Sequence, residues 1–409
     1  MKKFFRTIHL YLGLAAGLVI MVICFTGAIL VFEKELQQSF YPERYTVEKG
    51  EQKLPLSTTV ESFEQSMKGS SVTAVKVYTD PERSLELTYS EKKKESADHG
   101  EEKKPRDMNG MGSEKKKPEA GKGAGGGSQA FINPYTGKLI SLYTYRNTFF
   151  FTMFSLHRWL LAGDAGKMIT GTSTFIFLFI LITGMVLWWP KAKAKFKQHL
   201  TFKWGAGWKR INHDLHIVIG FYTAIFLFTS AFTGLAWSFE WFNNGIYRIT
   251  GTENKRAEPP VSVFVEGATP VTFDRALETV QSLAPDAAYY TINRAKDANG
   301  SIAITVMSND PVHEKASDQY FLDQYTGELI GTALYKDRNL GQRVRSTFYP
   351  VHVGSIGGVP GRIMVFLSCI AGVTFPVTGV IIWINRIKKR RKKKVKKESK
   401  KALLEPSVS

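Results

Sequence analysis

Eight histidines occur in the 409-residue chain, and four of them stand at matched distances from a Thr-Gly pair. His9 precedes Gly27 by 18 residues and His216 precedes Gly234 by 18, whereas His157 precedes Gly184 by 27 and His352 precedes Gly379 by 27. Two imidazoles converging on one axis can supply both axial positions of an iron porphyrin. Such an iron keeps no open position, which suits electron transfer better than oxygen binding. The chemistry expected is therefore two bis-histidine haem sites, His9 with His216 and His157 with His352. No C-x-x-C-H occurs, so neither group would be thioether-linked, and haem b is the form expected.

His9-x-x-x-Gly13 and His216-x-x-x-Gly220 each place a histidine and a glycine on one helix face. That match favours His216 over its neighbour His213. Gly13, Gly27, Gly184, Gly220, Gly234 and Gly379 have two explanations that stand side by side. They leave room for a flat macrocycle, or they let helices approach closely. Arg158 and Arg345 are candidate partners for haem propionates. His99, His199 and His313 have polar surroundings and no symmetric counterpart, and read as surface residues. Cys24 and Cys369 read as small buried apolar residues.

The elements that must position these histidines are four apolar windows. Ile8–Phe32, Met168–Trp189, Ile217–Phe239 and Ile363–Ile384 run 22 to 25 residues without a charged side chain. About 20 such residues cross a ~30 Å hydrocarbon core as a helix, so four transmembrane helices are expected. His9 and His216 open the first and third and share one level. His157 and His352 precede the second and fourth by about ten residues, too far for a straight span, so a short helix or loop folding over the membrane is expected. Ionisable groups at such depth are rare and usually functional. The matched spacings make the two halves parallel repeats about an axis along the membrane normal.

The formal charge of +19 is concentrated beside helix ends. Lys2, Lys3 and Arg6 precede the first span, residues 191–210 carry seven basic groups, and residues 388–401 carry eleven against only Glu398. This is the positive-inside pattern, with both termini cytoplasmic. It argues against nucleic acid as the partner; the basic tail suits anionic lipid headgroups instead. The first apolar run is about twice a signal-peptide h-region and is expected to stay as an anchor.

Two extracytoplasmic segments repeat one pattern. A helix (57–67; 273–283) leads to strands at 72–78 and 85–89, or at 288–294 and 301–307. A further strand then enters a shared Y-T-G-[KE]-L-I turn, Tyr135–Ile140 and Tyr325–Ile330, which is followed by a strand. Glu91–Gln129 interrupts the first copy with Lys, Glu and Gly and is expected to be disordered; Asp98, His99, Met108 and Met111 there read as solvated loop. The expected organisation is span one at 1–37, a first periplasmic domain at 38–150, and span two with its pre-helix at 151–190. A basic cytoplasmic loop at 191–210 leads to span three at 211–242. The second periplasmic domain at 243–345 is followed by span four at 346–386 and a basic tail at 387–409. The fold class is an α-helical membrane protein with two extracytoplasmic α-β-β-β domains.

An H-x-x-x-G span comes first, then an α-β-β-β domain ending in Y-T-G, then H-R-W-L before a span ending T-G-x-x-x-W-W-P. The order repeats with D-L-H and V-H-x-G, and it resembles the PepSY-associated transmembrane proteins. The resemblance covers nearly the whole chain except the 91–129 insertion and the tail. It implies a bacterial inner-membrane reductase of ferric siderophores in the periplasm, with His9, His157, His216 and His352 binding two b-type haems. The donor is expected to be a cytoplasmic carrier or a quinol, because no P-loop and no dinucleotide fingerprint set between a strand and a helix is present. The alternative is a membrane-anchored PepSY binding or regulatory protein without redox activity, in which the histidines are structural.

Overall fold

The computed structural model describes residues 1–91, 127–190, 196–255 and 258–402, with side chains to Ser399. Most of the insertion expected to be disordered, including His99, lies outside the described residues, as do Lys191, Lys193 and Lys195. The described chain forms two compact units.

The first unit comprises residues 1–32, 152–246 and 347–409. Its main helices are α1 (Lys2–Val31), α6 (Gly163–Trp188), α8 (Trp208–Ser238) and α12 (Gly358–Ala402). Four helices are long and apolar enough to cross a membrane, so the chain is a multi-pass membrane protein. They form a closed ring in which α1 packs on α6 and α12, and α8 packs on the same two. Ala16, Ile20, Cys24, Phe177, Leu227 and Leu235 fill the middle of that bundle. Both cysteines are buried and free, as expected. The third span starts earlier than its apolar window, at Trp208, so it carries Asp214 within the helix.

Two short helices precede the second and fourth spans. α5 (Phe149–Trp159) ends just after His157, and α11 (Leu340–Val353) ends just after His352. Each must reverse sharply into the span that follows. Gly354 makes the second reversal at φ 79, where glycine has no steric penalty. Leu160 and Leu161 make the first at φ 49 and 56, an uncommon conformation for a residue with a Cβ.

The second unit comprises residues 33–151 and 247–346. Its strands are β1 (Ser70–Tyr78), β2 (Leu85–Glu91), β3 (Ser128–Ile132), β4 (Leu139–Tyr143), β5 (Ala287–Asn293), β6 (Ile302–Ser308), β7 (Asp318–Leu322) and β8 (Leu329–Ala333). The two segments do not stand apart. They share one antiparallel sheet in the order β4-β3-β2-β1-β5-β6-β7-β8, and the strand expected after each Y-T-G turn joins it as the fourth of its repeat. β1 pairs with β5 at the centre, with Val75 opposite Ile292. Strand residues alternate between faces, so Leu85, Leu87 and Tyr89 all turn inward. They pack with Val60 and Phe63 of α4 (Leu56–Ser66) and with Ala276 and Val280 of α10 (Phe273–Leu283).

Each Y-T-G turn is closed by an acceptor side chain. Asn133 Oδ1 receives the backbone N–H of Tyr135 and Thr136, and Asp323 Oδ1 receives those of Tyr325 and Thr326. Gly137 and Gly327 follow at φ 70 and 73. Backbone donors hold the buried Asp323 carboxyl below its ordinary value of 3.8 despite a larger opposing effect of burial.

Candidate functional site

The helix ring brings the four matched histidines together in the expected pairs. His9 and His216 have ring centroids 6.2 Å apart with planes at 85°, and His157 and His352 are 6.1 Å apart at 77°. Imidazole–metal bonds are about 2 Å and each ring centre lies roughly 1 Å behind its nitrogen, so two rings flanking one ion sit about 6 Å apart. The two pairs occupy different depths. His9 lies near the start of α1, while His157 reaches α1 at Ile23 and Thr26. That is about 23 Å of helix, most of a ~30 Å hydrocarbon core.

Each histidine is anchored in one way by the helix that faces it. His9 Nδ1 lies 3.1 Å from the Ile180 carbonyl and 3.0 Å from Thr183 Oγ1. His157 Nδ1 meets the Ile23 carbonyl and Thr26 Oγ1 at 3.0 and 3.2 Å, and His352 Nδ1 meets the Ser230 carbonyl and Thr233 Oγ1 at 2.8 and 3.1 Å. His216 Nδ1 lies 2.9 Å from Thr378 Oγ1. All four threonine hydroxyls donate to a carbonyl one turn back, at 2.7 to 2.9 Å. Their lone pairs therefore face the ring, and Nδ1 must carry the imidazole proton. The lone pair is left on Nε2, which makes no hydrogen bond among the described residues. A proton on one ring nitrogen, held by a carbonyl, is the usual support of a metal-binding histidine.

The Thr-Gly glycines have a role that neither expected explanation named. An added Cβ at Gly27 would lie 3.1 Å from His157 Cε1, at Gly184 3.3 Å from His9 Cε1, at Gly234 3.4 Å from His352 Cε1, and at Gly379 3.2 Å from His216 Cε1. Each glycine makes room for the edge of a histidine ring. The H-x-x-x-G glycines differ. A Cβ at Gly13 meets nothing within 4 Å, and one at Gly220 meets only the Phe375 ring at 3.9 Å.

Other residues complete the surroundings. Phe375 packs edge-on to His216 at 5.6 Å and Trp237 to His352 at 5.5 Å. Arg158 donates from Nη2 to the Trp237 carbonyl at 3.3 Å, which places it beside the His157–His352 pair. Arg345 stands on α11, two turns before His352. Asn212 is buried one turn before His216 and donates to the Thr378 carbonyl at 3.1 Å. Gly166 and Gly361, nine residues after His157 and His352 respectively, lie directly against the carbonyls of Trp159 and Gly354. The Thr-Gly pair was visible in every span, yet the threonine carries half of its meaning. The shared offset of nine would have singled out Gly166 and Gly361.

Two expectations about lone histidines change. His313 is buried rather than on the surface: its Nδ1 accepts the Lys315 N–H at 3.1 Å and its Nε2 lies 3.1 Å from Tyr335 Oη. His199 is half-buried against Trp188, with Nδ1 2.8 Å from its carbonyl. In the sheet unit, Glu33, Gln37, Tyr45, Phe131, Tyr143 and Tyr145 wall a cavity of about 320 Å³. Gln37 Oε1 accepts both the Tyr45 and Tyr143 hydroxyls, its Nε2 donates to Glu33, and burial raises the Glu33 carboxyl. These polar groups satisfy one another.

The donor set fits haem. Among the described residues no three His, Cys, Asp or Glu side chains come together to hold a bare metal ion. Two neutral imidazoles about 6 Å apart suit an iron that brings its own four equatorial nitrogens. A comparison with curated proteins finds no match. The family model for the PepSY-associated TM region matches residues 6–386, so the chain belongs to that family.

Proposed function

We propose that this chain is a transmembrane electron conduit holding two b-type haems, one between His9 and His216 and the other between His157 and His352. The observation that carries the reading is the repeated anchor: four imidazoles, each with its Nδ1 proton fixed by a threonine and its Nε2 left for iron. Bound haem would supply a one-electron Fe(III)/Fe(II) couple. The chain's own part is to hold both axial nitrogens at each level and to keep water out of the space between. Ala16, Ile20, Cys24, Leu227 and Ala231 form that apolar middle. Arg158 and Arg345 would offset propionate charge near the outer pair.

The proposed acceptor is a ferric siderophore or another ferric chelate outside the cytoplasm, which makes the chain a ferric reductase. Hard oxygen chelators hold Fe(III) more tightly than Fe(II), so one added electron loosens the metal for uptake. Visible spectra of protein purified from haem-sufficient cells test the cofactor. A sharp Soret band, with α-bands on reduction, is expected at two haems per chain, and a colourless protein overturns the reading. Anaerobic mixing of the reduced protein with a panel of ferric chelates tests the acceptor, with return of the oxidised spectrum as the expected result.

A further inference from the structure

The end of the bundle that holds His9 and His216 is lined with cations and carries a projecting basic helix. α12 runs unbroken for 45 residues from Gly358 to Ala402. Its apolar part ends at Trp383 and Ile384, and every residue from Lys388 to Ser399 is exposed. Lys397 lies 13 residues past Ile384, about 20 Å along a straight helix. A headgroup layer is only about 5–8 Å deep on each side. Even a 40° tilt leaves roughly 15 Å of rise, so Lys392 to Lys397 stand in water beyond the lipid surface.

A few cations at the headgroups would satisfy the positive-inside pattern; this run goes further. Its i,i+4 neighbours repeat one sign: Lys388 with Lys392, Lys389 with Lys393, Arg390 with Lys394, Lys392 with Lys396, and Lys393 with Lys397. Such pairs destabilise an isolated helix. Lys394 with Glu398 at 3.8 Å is the one ion pair found among the described residues of this segment. An anionic surface laid along the helix would relieve the repulsion. Lys2, Lys3 and Arg6 at the start of α1 extend the same field across this end.

We infer that this basic end docks an acidic, water-soluble one-electron carrier protein that reduces the His9–His216 site. The inference rests on the conduit reading. An iron with two imidazole ligands accepts one electron at a time, so the reduced carrier loses one electron and the inner site gains one. Charge-steered docking raises association rates by 10- to about 1000-fold at low salt and fades as salt rises.

The test follows reduction of the purified haem-loaded protein, in neutral phosphatidylcholine nanodiscs, by a photoreduced acidic [2Fe–2S] ferredoxin. Two variants are compared with the parent: removal of residues 388–409, and the full chain with Lys392→Glu, Lys393→Glu and Lys396→Glu. Dithionite-reduced spectra establish that each retains both haems. At low salt both variants are expected to react at least about tenfold more slowly than the parent, converging with it near 0.5 M salt. Equal rates in variants with intact spectra overturn the docking proposal, and so does a tail effect seen only in anionic-lipid nanodiscs. A parent chain without a haem spectrum sinks the conduit reading and this proposal with it.

Discussion

Thr183 holds the ring of His9, with Oγ1 3.0 Å from Nδ1, and donates its own hydrogen to the Phe179 carbonyl at 2.7 Å. The next residue, Gly184, gives the same ring its space. One dipeptide thus sets both the proton position and the place of the imidazole. Thr183→Val keeps the volume and removes one of the two acceptors of His9 Nδ1, leaving the Ile180 carbonyl, and should weaken haem retention at the inner level by about 10- to 100-fold. Thr183→Ser should retain it. Haem-to-protein ratios after dilution decide, and equal retention in the valine variant would remove threonine from the site.

The two classes of glycine should respond differently. Gly27→Val drives a side chain into the His157 ring and should cost the outer haem while sparing the inner. Gly13→Leu meets no protein atom within 4 Å of its Cβ, so the apoprotein should fold and insert as the parent does. If a macrocycle lies against that face, the inner haem is lost. Full haem stoichiometry in Gly13→Leu would place the macrocycle elsewhere.

Both ring pairs are near perpendicular, at 85° and 77°. Crossed axial imidazole planes leave the iron d-orbitals nearly degenerate. The oxidised protein should therefore show low-spin ferric EPR signals of the highly anisotropic, large-g type at both sites. Well-resolved rhombic spectra, the signature of parallel planes, would contradict the ring orientations.

His313 gives the sheet unit a pH dependence. Burial, with Arg338 adding to it, holds its pKa below 6.5, while Glu314 opposes the shift. The unfolded chain takes up the proton first as pH falls. This contribution to stability is thus whole above pH 6.5 and declines as pH drops from there through the lower folded value. Asp323 acts in a separate window, losing its contribution only as pH falls below 3.8. Pulse proteolysis at pH 7.5 and 5.5 should find the unit weaker at the lower value, and His313→Gln should shrink that difference. An undiminished difference in the variant would assign the effect to another group.

Asp274 of the second repeat caps the helix of the first. Its Oδ1 and Oδ2 accept the backbone N–H of Leu56 and Ser57 at 2.6 and 2.8 Å, where Pro55 offers no capping side chain. Asp274→Ala should cost about 1–2 kcal/mol of sheet-unit stability. Chemical denaturation followed by pulse proteolysis measures it. A loss below about 0.3 kcal/mol would mean that water replaces the cap.

Much of this architecture was legible in the chain. Apolar windows longer than 20 residues and a histidine–glycine interval repeated at 18 and 27 are periodic signals, and they located the spans and paired the histidines. Helix 273–283 has the bounds expected of it, and the structure adds the Thr272 cap at its start. Other features depend on partners distant in sequence. The threonine role needs a ring from another helix, and the His313 environment comes from Tyr335, 22 residues away. Fusion of the two small domains was illegible for a related reason. Strand alternation shows which face is buried, but not which strand lies alongside.

The β1–β5 seam has one more consequence. Val75 pairs with Leu87 within its own repeat, and Ile292 pairs with Ile304. Val75 and Ile292 are thus counterparts, and they also face each other across the seam. A strand that meets its own equivalent antiparallel is the arrangement of an isologous homodimer contact. The present chain has the form of such a dimer fused end to end. The halves are not identical, since one reversal uses two leucines and the other a glycine, yet each histidine pair takes one ring from each half.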